Sequence, residues 1–216
     1  MKTLVIDIGG SHVKLLASGE SERRRMDSSP DLSPGAMVGG VCKLAEDWLW
    51  ERVSIGYPGV VCHDRPLTEP AHLGDGWVGF DYPGAFGKPV RMLNDAAMQA
   101  LGSYRGGRML FLGLGTGLGS AMIVDGDVQP LELGHLPYKK GRTFEDYVGK
   151  RGLARLGKKR WRSAVDDVVE RLQHAMRPDY TVLGGGNVKL LEELPEGVER
   201  GDNSLAFQGG FLLWDR

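Results

Sequence analysis

Residues 3–8 run Thr-Leu-Val-Ile-Asp-Ile, break at Gly9-Gly10, and return through residues 13–17, a pattern of two strands about a glycine turn. Residues 21–26 alternate polar and basic side chains and predict a third strand at a sheet edge. Pro30, Pro34 and Gly35 mark a loop, after which a helix is expected from about residue 36 to 50 and a strand over 53–56. No helical period survives more than two turns over residues 57–88, where Pro and Gly are dense. Loops with short strands are expected there, with Trp77 as an apolar cover for a bound ligand.

Residues 90–93 read as a short strand, and Asn94-Asp95 supplies capping side chains for a helix carrying Ala97, Met98, Leu101 and Tyr104 at helical spacing. Residues 109–114 and 120–124 predict a second strand pair around Gly-Thr-Gly, repeating the opening hairpin. The clearest helix is 161–176, with Trp161, Ala164, Val165, Val168, Val169, Leu172 and Met176 on one face and Asp166, Asp167, Glu170 and Arg171 on the other. Pro178 ends it. A strand over 180–183, a turn at Gly184, Gly185 and Gly186, a helix over 187–194 and a packed segment over 204–214 complete the reading. Two similar hairpins among mixed strands and helices predict an α/β protein of two domains with a substrate cleft between them. The expected division is 1–100 for the first domain, 101–203 for the second, and 204–216 as a C-terminal helix packing back on the first domain.

The 216 residues are 41% apolar and 25% charged, an ordinary globular make-up. Twenty-seven Lys and Arg against 28 Asp and Glu give a net charge of -1, which excludes a globally basic nucleic-acid coat. The start reaches Asp7 after a few apolar residues, and the charge-free stretch 109–124 carries four glycines, so neither a signal peptide nor a membrane segment is expected and the protein is read as cytoplasmic. Cys42 and Cys62 form no CxxC and are expected to be buried free thiols. The 33 glycines cluster where chemistry is expected: 9–10, 113–119 and 184–186.

Asp7 stands at a strand end before Gly9, Gly10, Ser11 and Lys14. Glycines free to take positive φ would expose amides to phosphate oxygens, while Asp7 would hold Mg²⁺ through its water shell, with a plain structural hairpin as the equal alternative. The glycine-rich 113–119 stretch is not GxGxxG, since the third glycine position falls on Leu118 or Ser120, and no GxxxxGK[ST] occurs. What remains is a turn of Gly115, Thr116 and Gly117 suited to close approach by a phosphate, with a bulged hairpin kept for packing as the alternative. Asp95, at a helix N-terminus, would be ionised and able to take a proton from an alcohol, with an N-cap as the plain alternative. Glu132, His135 and Glu145 supply groups that can grip vicinal hydroxyls or bind metal, the second being the weaker reading because no cysteine lies nearby. Residues 139–162 hold ten Lys or Arg against Glu145 and Asp146, a local balance of +8. Arg151, Arg155, Lys158, Lys159 and Arg160 on this stretch read either as a solvated helix face or as a track for a linear phosphate polymer; no nucleic-acid motif accompanies them.

Taken in order, Asp-Ile-Gly-Gly-Ser-His-Val-Lys at 7–14, Asn94-Asp95-Ala96, Leu-Gly-Thr-Gly-Leu-Gly at 114–119, Glu-Leu-Gly-His at 132–135 and Leu-Gly-Gly-Gly at 183–186 resemble the ROK family of sugar kinases, on the polyphosphate glucokinase side. That resemblance implies an actin-like, ribonuclease H-like fold and phosphoryl transfer from ATP or polyphosphate to the 6-hydroxyl of a hexose, glucose first. It implies Asp95 as catalytic base and Asn94, Glu132, His135 and Glu145 as sugar-binding groups. Asp7, Gly9, Gly10, Ser11 and Lys14 match the first phosphate loop, Gly115, Thr116 and Gly117 the second, and Gly184, Gly185 and Gly186 the turn beside adenosine. The chain is shorter than typical members. No zinc is expected, since residues 136–144 lack the cysteines that bind it in many members, and a homodimer is the family's common habit. The alternatives are a kinase of another acceptor, such as an N-acetylated amino sugar, and a sugar-binding protein without turnover.

Overall fold

A computed structural model describes residues 1–202 and 204–215. The chain forms two units: Met1–Met98 with the residues from Ala206 on, and Gln99–Leu205. Asn203, which closes the expected second domain, lies outside the described residues.

The first unit contains β1 (Thr3–Ile8), β2 (His12–Ala17), β3 (Arg24–Asp27), α1 (Pro34–Leu44), β4 (Arg52–Tyr57), the small hairpin β5 (Val61–Cys62) and β6 (Arg65–Pro66), α2 (Tyr82–Phe86), β7 (Val90–Asn94) and the start of α3 (Asp95–Ser103). Its sheet has the order β3-β2-β1-β4-β7, with antiparallel pairing from β1 outward to β3 and parallel pairing from β1 to β7. Strand alternation divides β1 between two cores. Leu4, Ile6 and Ile8 join Met37, Val38 and Val41 of α1, while Val5 meets Met98 of α3 together with Ala206 and Phe207.

The second unit contains β8 (Arg108–Leu114), β9 (Leu118–Val124), β10 (Asp127–Leu131), a 3₁₀ turn at Leu133–His135, α4 (Glu145–Val148), α5 (Lys150–Met176), β11 (Tyr180–Gly184), a 3₁₀ turn at Val188–Leu190 and β12 (Val198–Arg200). Its sheet order, β10-β9-β8-β11-β12, repeats the first sheet strand for strand and in pairing direction. Leu110, Leu112 and Leu114 of β8 pack with Trp161, Val165, Val168 and Leu172 of α5.

The last helix, α6 (Leu205–Leu212), returns to the first unit. A Cβ at Gly210 would collide with Val5, so glycine permits this close approach. Ser54 donates to the Gly210 carbonyl at 2.6 Å and accepts from the Trp214 indole at 2.8 Å, and the guanidinium groups of Arg52 and Arg91 each lie 4.9 Å from that ring.

Several expectations need correction. The helix expected to reach residue 50 stops at Leu44, because Arg24 takes the Leu44 carbonyl and pairs with Asp47, while Trp48 turns inward beneath the same guanidinium. No helix forms over 187–194; Arg200 captures the carbonyls of Val188 and Leu191 and leaves one 3₁₀ turn. The helix expected from 161 begins at Lys150 and bends at Gly157, whose φ is 72°. Trp77 is no cover: it is fully buried and packs 5.9 Å from Tyr57. Cys42 is half-buried and Cys62 is exposed, with its sulfur 3.2 Å from His63 Nδ1.

Candidate active site

The parallel strands of the first sheet end together. Register pairs Asp7 of β1 with Gly56 of β4, and Gly56 with Leu93 of β7, so Asp7 and the Asn94-Asp95 pair emerge at the same edge, two strands and about 10 Å apart. Carboxyl ends of parallel strands are where open α/β sheets bind ligands. Asp7 faces Lys14 across the hairpin at 3.3 Å, with its side chain 19% exposed.

In the adjoining turn Gly9 N–H donates to His12 O at 3.0 Å, and Ser28 takes the carbonyls of Gly9 and Ser11. The amides of exposed Gly10 and Ser11 make no bond to the described residues. Neither Gly9 nor Gly10 has the positive φ expected of it. Glycine serves there for room: a Cβ on Gly9 would lie 3.1 Å from the His12 carbonyl.

Asn94 caps α3, its Oδ1 accepting from the amides of Ala96 and Ala97 at 3.0 and 3.2 Å while Nδ2 donates to Gly59 O at 3.1 Å. One amide hydrogen of Asn94 is left for a ligand. Asp95 opens the first turn, half-buried, with Oδ1 accepting from Ala96 N at 2.7 Å.

In the second unit the turn at Gly115, Thr116 and Gly117 is gripped by the main chain. Lys150 N–H, the first amide of α5, donates to the carbonyls of Gly115 and Thr116 at 3.1 and 3.0 Å. Asn187 donates through its amide side chain to Gly115 O at 3.0 Å and through its backbone to Leu114 O at 2.9 Å, bringing the Gly184 to Gly186 turn alongside. Gly185 has φ of 86°, and a Cβ there would strike the Leu114 carbonyl. A side chain on Gly117 would strike the Glu145 carboxylate.

Glu145 opens α4 and Glu132 precedes the Leu133–His135 turn. Buried Ser120 ties that turn to β9, donating to Leu131 O at 2.8 Å and accepting from Leu133 N at 3.1 Å, and Gly134 lets it lie against the Leu118 carbonyl. His135 stands between two carboxylates, Nδ1 3.9 Å from Glu132 and Nε2 3.9 Å from Glu145, with all three side chains 38–66% exposed. At that spacing the groups are not hydrogen-bonded to one another, which leaves their hydrogen-bonding capacity to a ligand. Among the described residues no three or more His, Cys, Asp or Glu side chains converge on a metal position.

The basic residues lie on α5. Arg155 is engaged with the Asp146 carbonyl at 2.7 Å and stacks on Tyr147, whereas Arg151, Lys158, Lys159 and Arg160 are exposed. Sequence reasoning passed over Ser28 and Asn187, the residues that hold the two glycine turns. Asn187 directly follows the triple glycine, but nothing local marks Ser28, whose role depends on β2–β3 pairing.

No family model matches the chain. It is 30% identical over 207 residues to the polyphosphate glucokinase of Mycobacterium tuberculosis, covering 84% of this chain and 76% of that one. Among solved structures it superposes on an inorganic polyphosphate/ATP-glucomannokinase from Arthrobacter sp. strain KM with a TM-score of 0.84 at 22% identity, over 100% of this chain and 99% of the other. It also superposes on a ROK family glucokinase from Streptomyces griseus in complex with glucose and AMPPNP, with a TM-score of 0.76 at 17% identity and 99% of each chain covered. No helix is long and apolar enough to cross a membrane among the described residues.

Proposed function

The chain belongs to the ROK family of sugar kinases, close to its polyphosphate glucokinases, and we propose that it transfers a phosphoryl group from polyphosphate or ATP to the 6-hydroxyl of a hexose, glucose first. The repeated five-stranded sheet is the actin-like fold of that family. The observation that carries the reading is the position of Glu145. Its carboxylate lies against Gly117 of the second glycine turn on one side and 3.9 Å from His135 on the other, so groups suited to sugar hydroxyls stand beside a turn suited to phosphate.

In this reading Asp95 accepts the proton of the attacking hydroxyl, and Asn94 offers its remaining amide hydrogen to the sugar. Glu132, His135 and Glu145 take the other hydroxyls. The Gly10 and Ser11 amides and the Lys14 ammonium serve the phosphates, as do Gly115 to Gly117. Asp7 fits a magnesium ion that arrives with the donor: Lys14 occupies one carboxylate oxygen, the other remains, and such an ion needs only one or two protein carboxylates. Bound there, magnesium would neutralise phosphate charge during transfer.

The start of α5 supports a polyphosphate donor. Its first amide holds the Thr116 turn, and the run from Lys150 to Arg160 covers about 15 Å of helix contour, room for several phosphates of a linear chain. Polyphosphate is therefore the donor we favour, with ATP served by Gly184 to Gly186. A coupled assay for hexose 6-phosphate with Mg²⁺, glucose and either donor tests this. Turnover with polyphosphate is expected; a folded protein silent with both donors would refute the reading.

A further inference from the structure

Two of the proposed sugar-binding residues, His135 and Glu145, flank an arm formed by residues 136–144. Phe144 N–H donates to Leu136 O at 3.1 Å, Pro137 and Thr143 form a single bridge, and Tyr138 N–H donates to Arg142 O at 2.8 Å. At its tip Lys140 and Gly141, with φ of 54° and 69°, make a left-handed hairpin turn closed by Arg142 N–H on Lys139 O. A ribbon this small does not hold its own place in water. Its position therefore depends on side chains.

Those contacts converge on Tyr138. Its ring packs 5.2 Å from Phe144 and 4.8 Å, edge-on, from Tyr147. Its hydroxyl donates to Asp167 of α5, and Asp167 also accepts from Lys139 at 3.0 Å and Arg171 at 3.1 Å. Lys139 and Arg171 in turn lie over the Tyr138 ring. The Arg171 hydrogen bond, foremost, holds the Asp167 carboxyl well below the usual carboxylate range, so the phenol meets a charged acceptor at neutral pH. Neighbouring Val165, Val168 and Val169 are in the core, which makes this stretch of α5 a fixed point.

We infer that Tyr138 and Asp167 form a latch that fixes the arm to α5 and so sets the spacing of His135 and Glu145 for hexose binding. The inference rests on the sugar-site reading above. Both are positioning residues, since neither is assigned a contact with substrate.

The test measures hexose KM, donor KM, kcat and amide hydrogen exchange over 136–148 for Tyr138→Phe, Asp167→Asn and the double variant, beside His135→Ala and Glu145→Gln. Each latch variant should raise hexose KM about five- to twentyfold with kcat and donor KM within about twofold, the double being no worse than the worse single. Exchange in the arm should quicken. Hexose KM at the wild-type value in both latch variants, while His135→Ala raises it, overturns the latch and leaves the sugar site standing. Lower kcat at unchanged KM marks a merely structural role and also overturns it. If His135→Ala and Glu145→Gln leave hexose KM unchanged, the sugar-site reading itself falls and takes the latch with it.

Discussion

The β1–β2 and β8–β9 hairpins occupy equivalent places in two sheets of the same strand order, yet their glycine turns are held by different means. The first is supported by the strand-end residue Ser28, whose hydroxyl takes the Gly9 carbonyl and whose amide takes the Ser11 carbonyl, and by Asp7 and Lys14 paired across its base. The second is clasped by later segments of the chain, through the Lys150 backbone amide and the Asn187 side chain, with Glu145 packed against Gly117. One topology thus yields a charged, open turn and an uncharged, closely packed one. The sheet decides where a turn emerges, and the elements after it decide what the turn can hold.

The sharpest way to break this comparison lies at the end of the fifth strand in each sheet. Asp95 follows β7 and opens α3, while Asp202 follows β12 and accepts from Ser204 N at 2.7 Å just before α6. Asp95→Asn should lower kcat about 10²- to 10⁴-fold in the coupled assay, the range for a general base. Asp202→Asn should leave it within about threefold, and near-full activity in the Asp95 variant would remove the base.

The turns themselves give the next largest effect. A Cβ at Gly185, in the turn that Asn187 holds beside Gly115, meets the Leu114 backbone carbonyl at a φ of 86°, whereas one at Gly10 makes an ordinary 3.7 Å contact with His72. Thermal melts should show Gly185→Ala destabilised by about 1–3 kcal/mol, as for overpacking, and Gly10→Ala by no more than about 0.5 kcal/mol. Equal losses would erase the contrast.

Replacing Lys158, Lys159 and Arg160 with Ala should raise KM for polyphosphate roughly tenfold, more steeply at low salt, with KM for ATP unchanged. Equal effects on both donors would make that face of α5 a solvated surface. The smallest effect is in acid. Because the folded Asp167 carboxyl lies below its unfolded value, its stabilisation is complete above about pH 4 and is lost as pH falls through the folded value. The Tm gap between wild type and Asp167→Asn should therefore narrow from pH 6 to pH 3; a constant gap would refute the linkage.

Both hairpins were legible because each carries its own apolar strands and its own glycine break. The Trp161 face of α5 was legible for the same reason. The first turns of α5 were not, since Arg151, Arg155 and Lys158 to Arg160 offer no apolar period; that stretch is seated by contacts such as the Trp161 indole on Val148 O at 2.7 Å. The motif positions of the candidate site could be read along the chain. The capping role of Asn94 was among them; its tie to Gly59, Ser28 under the first turn, and Asp167 as the anchor of the arm were not, because each joins residues from different elements.

By itself, then, the sequence determined the repeated pattern of strand, glycine break and strand, and the order of acids, imidazole and glycines along it, because those depend on side-chain alternation and on local backbone sterics. Only the tertiary structure decided which helices ended early, which glycines were needed for room instead of for positive φ, and which carboxylates came to face His135. Those outcomes turn on carbonyls, guanidinium groups and phenols brought together from distant parts of the chain.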